Sequence, residues 1–169
     1  MKLNYQELIP QDFSDNSRVF IYQSNRLFSI PEAIRIEDML NDFTSRWNSH
    51  GDPVKGYANL FFGQFIVFIA DESQVKLGGC STDSSIHVVK EIEKLFQVSM
   101  FDRMALAFIV KEKVQLIPMN QLQYAVDNGF ISGETLYFNN TIQTKADLLN
   151  NWLIPVKESW LGRRVSLAI

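Results

Sequence analysis

Phe65-Ile66-Val67-Phe68-Ile69-Ala70, then Asp71-Glu72-Ser73, then Leu77-Gly78-Gly79-Cys80-Ser81-Thr82-Asp83-Ser84-Ser85: an apolar run, an acidic step and a small-residue polar stretch follow one another in this chain. Six apolar residues without alternation predict a central strand covered on at least one face by helix. Past the polar stretch, Ile86, Val89, Ile92, Leu95 and Phe96 recur at the spacing of one helical face, with Thr82 or Asp83 as the cap. A buried strand, a glycine-bearing loop and a helix start in succession mark a common place for a ligand.

Upstream, residues 57–62 form a second apolar run, and Gly63-Gln64 predicts a tight hairpin between it and residues 65–70. Residues 18–23, Arg-Val-Phe-Ile-Tyr-Gln, are β-branched and aromatic, hence a first strand. Ser29-Ile30-Pro31-Glu32 has the spacing of a capping box, with Pro31 in the first turn where its missing N–H costs little. Ile36, Met39, Leu40, Phe43 and Trp47 continue that helix as one apolar face until Gly51-Asp52-Pro53 stop it. His50 then falls in the last turn, where a cationic imidazole suits the helix's negative end better than it suits catalysis.

Downstream, residues 104–110 predict a fourth strand, Lys111-Glu112-Lys113 a polar turn and residues 114–117 a fifth. The order β-α-β-β-α-β is that of a ferredoxin-like α+β sandwich, an antiparallel sheet with two helices on one face, here with an added strand. Residues 118–128 predict a third helix closed by Gly129, residues 136–138 a short strand, and Thr144-Lys145-Ala146-Asp147 a helix start leading to Trp152. Residues 155–169 carry no assignable pattern. The expected organisation is one domain: an arm over 1–17, an α+β core over 18–117 and a C-terminal helical extension over 118–169.

Hydrophobic residues are 46% and charged residues 21% of the chain, so it can bury a proper core and disorder is excluded. A net charge of −3 gives no electrostatic footprint for nucleic acid or an anionic membrane. The N-terminal residues lack a signal-type apolar stretch, and the apolar residues 60–70 are too few to span a bilayer. A single cysteine rules out an internal disulfide and fits a reducing cytoplasm, and two histidines are thin provision for a metal. No cofactor is expected. A ferredoxin-like sheet leaves one face uncovered, and thirteen Phe make a homodimer through that face an expectation.

Residues 66–73 look like a Walker B strand, with Asp71-Glu72 placed to hold Mg²⁺. The Gly-x-x-x-x-Gly-Lys-Ser/Thr loop that such chemistry needs for its phosphates is missing from the sequence: Gly51-Asp52-Pro53-Val54-Lys55-Gly56 continues with Tyr57-Ala58 and follows a helix. ABC-type ATP hydrolysis is therefore not expected. Ile21-Tyr22-Gln23-Ser24-Asn25-Arg26, Asp71-Glu72-Ser73, residues 79–85, Phe101-Asp102-Arg103, Phe138-Asn139-Asn140 and Lys157-Glu158-Ser159-Trp160 together resemble a small bacterial family found chiefly in Bacteroidetes, often labelled "ABC transporter ATPase". The resemblance covers nearly the whole chain. It implies a cytoplasmic protein and carries over no catalytic residues.

The candidate site is therefore the 78–85 stretch itself. Gly79, Cys80, Ser81, Thr82, Asp83, Ser84 and Ser85 offer hydroxyls and amides to a small anionic ligand or a protein partner, although Asp83 as cap would repel an anion. The enzymatic alternative is a hydrolase or transferase with Cys80 as nucleophile and His87 or His50 as base. His87 lies nearly two helical turns on, so contact requires the loop to fold back, and Cys80 is expected as a small buried hydrophobe. Asp71 and Glu72 are weak candidates for a divalent cation, because neighbours on an extended chain point to opposite faces.

Overall fold

Ser29 opens the first helix as its spacing predicts: its Oγ accepts from the Glu32 amide while the Glu32 carboxylate accepts from the Ser29 amide. In the computed structural model, which describes residues 1–167, the elements are β1 (Arg18–Gln23), α1 (Ile30–Arg46), β2 (Asn48–Ser49), β3 (Asp52–Pro53), β4 (Lys55–Phe61), β5 (Phe65–Asp71) and α2 (Gly79–Phe96). There follow β6 (Ala105–Val110), β7 (Lys113–Pro118), α3 (Leu122–Asp127), β8 (Leu136–Phe138), α4 (Lys145–Asn151) and β9 (Leu153–Pro155). The chain is mixed α+β and divides into two compact units, one of Asn4–Phe101 with Gln143–Leu149, the other of Met1–Leu3, Asp102–Ile142 and the chain from Asn150.

In the first unit β5 is the middle strand, antiparallel to β1 and β4, and all seven of its residues are buried. Ile66 and Phe68 project to the face covered by Ile36 and Leu40 of α1 and by Val89 and Ile92 of α2. Alternation sends Phe65, Val67 and Ile69 to the other face, where they too are fully buried. The sheet face expected to be open for a homodimer is therefore covered. The 1–17 arm contributes to that cover: Tyr57 pairs with Ile69 across the strands and so shares its face, and the Tyr57 hydroxyl donates to the Leu8 carbonyl at 2.7 Å. Tyr5 and Ile9 are buried, and the Tyr5 hydroxyl donates to the Leu148 carbonyl at 2.6 Å. The β4–β5 hairpin turns through Phe62 and Gly63, both left-handed, with Phe61 paired to Phe65, so its loop is one residue longer than Gly63-Gln64 suggests.

The fourth strand is where the ferredoxin-like expectation fails. β6 does not complete the first sheet, whose order is β1-β5-β4; it lies in a second sheet of order β7-β6-β8-β9. The edge of β1 is taken instead by residues 143 and 144, through the Val19 amide on the Gln143 carbonyl and an Arg18–Thr144 bridge. Residues 118–169 are accordingly not a helical extension, since β8 and β9 supply half of this second sheet. Its unit packs Leu106, Phe108, Ile117, Tyr137, Val156 and Leu161 into its own core.

Candidate functional site

The 78–85 stretch is a helix start and not a loop. Gly78 is the N-cap and α2 begins at Gly79, four to five residues earlier than a Thr82 or Asp83 cap would place it. Ser81 is the reason: its Oγ accepts from the Gly78 amide at 2.7 Å and donates to the Gly78 carbonyl at 2.9 Å, so the third helical residue ties off the cap. The other hydroxyls bond inside the same helix, Thr82 to the Gly78 carbonyl, Ser84 to Cys80 and Ser85 to Thr82. Each reaches back to a carbonyl three or four residues earlier, the usual alternative for Ser and Thr within a helix. The four hydroxyls thus stitch the helix start, and the groups left there without a partner inside the helix are backbone amides.

Much of this turn is open to solvent, although Ser81 is buried. Gly79, Cys80, Asp83 and Ser84 are exposed, and a Cβ placed on Gly79 would meet nothing within 4 Å. Cys80 is exposed, against the expectation of a buried thiol. Its position in the first helical turn, which faces solvent, accounts for that. The first turn carries no acidic residue, so the positive end of the helix is not neutralised from within.

His50 is brought to this turn from elsewhere in the sequence. It does not end α1, which stops at Arg46; it sits with Gly51 in the turn between β2 and β3, at φ 53°. The helix-end role expected for its imidazole therefore does not apply. That hairpin docks on α2: Trp47 Nε1 donates to the Ser81 carbonyl at 2.8 Å and Ser49 Oγ to the Lys76 carbonyl at 2.6 Å. His50 Nε2 lies 3.0 Å from where a Gly78 Cβ would stand. Gly56 lets Trp47 take its position, because a Cβ there would come within 2.5 Å of the indole. Sequence reading placed Trp47 on the face of the first helix and Gly56 in an incomplete phosphate loop, and it missed their part here and the placement of His50, because no local signal marks a contact between residues so far apart.

Cys80 and His87 are not joined. Both lie on the unbroken α2, seven residues apart, about 10 Å along its axis. The acidic step is likewise dispersed. Asp71 Oδ1 accepts from the amide and hydroxyl of Ser73 at 2.9 and 2.6 Å, and its Oδ2 accepts from the Ser14 amide at 2.9 Å. Glu72 Oε2 accepts from the Leu77 amide at 2.8 Å, and its Oε1 lies 3.6 Å from Arg18 Nε. Among the described residues no group of three or more His, Cys, Asp or Glu side chains is arranged to hold a metal ion, and no helix is long and apolar enough to cross a membrane.

The Ser73 hydroxyl, then the Ser14 amide, hold the Asp71 carboxyl at about 2, with smaller help from the Ser73 amide and Lys55 against the opposing effect of burial. A carboxyl more acidic in the folded chain than its ordinary 3.8 stabilises the fold above that value, and the contribution disappears as pH falls from there through about 2. Urea midpoints followed from about pH 5 to about pH 2 are expected to fall less steeply for Asp71→Asn than for the native chain. Parallel curves would show that Asp71 is not a source of the acid sensitivity.

Comparison with known proteins adds nothing to this geometry: no family model matches the chain, and neither the curated proteins nor the solved structures give a match.

Proposed function

We propose that this chain is a non-enzymatic, cytoplasmic α+β domain that binds a small anionic ligand at the start of α2, through residues 78–85. The observation that carries the reading is the exposed, acid-free first turn of α2, capped by a glycine and flanked by the His50 imidazole. Backbone N–H groups at such a turn point outward without internal acceptors, and the helix dipole favours a negative charge there. Asp83, exposed and beyond the cap, does not occupy those amides. The hydroxyls, engaged within the helix, support a binding role over a nucleophilic one.

Inorganic phosphate, sulfate and a set of nucleotides are the probes. A ligand that prefers the folded chain raises its melting temperature with occupancy, and the rise is expected from at least one of these anions. Gly79→Asp is expected to abolish it by placing a carboxylate in the first turn. Gly79→Ala, which has room for its methyl, is expected to keep it and to stabilise the chain by about 0.5 kcal/mol through lower backbone entropy in the unfolded state. A flat series across all anions would remove the anion reading and leave a protein partner for this surface.

One observation favours a second reading. The exposed Cys80 thiol at a helix start is placed as a nucleophile would be in a Cys-dependent hydrolase or transferase. Rapid alkylation near neutral pH that a bound anion blocks would favour it; slow labelling of the native chain would set it aside.

A further inference from the structure

Between the buried Ile9 and the buried Ser17, the arm runs through Pro10, Gln11, Asp12, Phe13 and Ser14, all of them exposed or half-buried. Charged side chains of the body grip this stretch. Lys145 Nζ donates to the Phe13 carbonyl at 2.7 Å and to the Gln11 carbonyl at 3.4 Å. Lys55 Nζ donates to the Asp12 carbonyl, lies 3.7 Å from the Asp12 carboxylate and sits 4.9 Å from the centre of the Phe13 ring. Asp71 accepts the Ser14 amide. Past this point the main chain takes over, with the Ala146 amide on the Asp15 carbonyl and the Lys145 amide on the Ser17 carbonyl.

Lys145 is only 4% exposed, and among the described residues no carboxylate pairs with it. A buried ammonium is tolerated only where acceptors surround it, and here the acceptors are carbonyls of the arm. Arm and lysine therefore hold one another. Asp71 extends the connection, because the carboxylate that receives Ser14 also receives Ser73, near the head of the 72–77 loop. The Glu72 carboxylate then spans that loop to the Leu77 amide, next to the Gly78 cap. Beside the arm, Ser17 Oγ is buried and has no hydrogen-bond partner among the described residues, a penalty the closed state carries.

We propose that residues 10–14 and the 72–77 loop form a single strap, latched by the Lys145 ammonium and seated on Asp71 at the end of β5, that opens as one unit while the β1–β5–β4 sheet stays closed. Opening releases no fully buried apolar side chain from either segment: it frees the half-buried Val75 and Leu77 from Trp47, Val54 and Ala70 and the Lys76 carbonyl from Ser49, which is the property of a low-stability segment. It separates three charged groups from their main-chain partners together, which makes the event cooperative.

Native-state hydrogen exchange on the full chain tests this. In the native sequence the Ser14 and Ser73 amides are expected to exchange through one opening, with equal protection and equal denaturant dependence, well below the protection of Val67 and Ile69. Lys145→Met is expected to speed both strap amides by about tenfold or more, since hydrogen bonds to a charged group are the strong ones, and to leave Val67 and Ile69 unchanged. Different openings for Ser14 and Ser73 in the native chain would overturn the proposal, whether or not the variant folds. So would acceleration of one without the other, or equal acceleration of the sheet.

Discussion

Phe68→Ala is expected to destabilise the chain by about 3–5 kcal/mol, read as a fall in the urea midpoint with the slope unchanged. The ring is fully buried on the helix-covered face of β5. It meets three other rings edge-on: Tyr22 at 6.0 Å, Phe43 at 5.8 Å and Trp47 at 6.2 Å. Truncation removes the transfer free energy of the ring and opens a cavity that β1, α1 and the residue after α1 all border. Those neighbours are fixed by strand pairing and helix packing, so the cavity has little freedom to collapse. Native domains are stable by about 5–15 kcal/mol, and a loss of this size takes a large part of the total. A fall below about 1 kcal/mol would mean that the three rings repack, and that the aromatic cluster does not set the face.

Trp152→Ala is the counterpart in the second unit, with an expected loss of about 3–5 kcal/mol. Trp152 is fully buried, meets the Phe138 ring edge-on at 5.4 Å and donates from Nε1 to Asn140 Oδ1 at 2.9 Å. Its carbonyl accepts the Asn139 amide at 2.6 Å, so the residue joins β8 to the segment before β9 by side chain and main chain together. Hydrogen exchange locates the damage. Tyr137 and Phe138 amides are expected to lose protection at lower denaturant than Val67 and Ile69. Uniform loss across both pairs would show that the units melt as one.

What could be read from residues alone is what residues settle locally. Ser29 and Glu32 specify a helix start by their own hydrogen bonds, and both bonds are present. The 65–70 run specifies a buried middle strand because its six apolar residues are rich in β-branched and aromatic side chains and too few for a buried helix. The cap of α2 was misplaced for a local reason as well: Gly78 offers no side chain, and the bond that fixes it comes from Ser81, three residues into the helix. Placement of β6 is different in kind. Its sequence fits the edge of β1 as well as it fits β8, and the choice rests on Gln143 and Thr144 having taken that edge from over a hundred residues away. The candidate site divides the same way, since its amides follow from the helix start, whereas His50 reaches it only through the docking of the β2–β3 turn by Trp47 and Ser49.

The return of residues 143–149 to the first unit has a consequence for how the protein is made. On a ribosome the chain emerges from its N-terminus, and domains generally fold as they appear. Here the sheet of β1, β5 and β4 is fully synthesised by Asp71, yet the partners of Val19, Arg18 and Tyr5 arrive only with Gln143, Thr144 and Leu148. The nascent chain must carry an unsealed sheet edge through the synthesis of most of the second unit. Completion of the first unit is thereby tied to synthesis of the chain as far as Leu149.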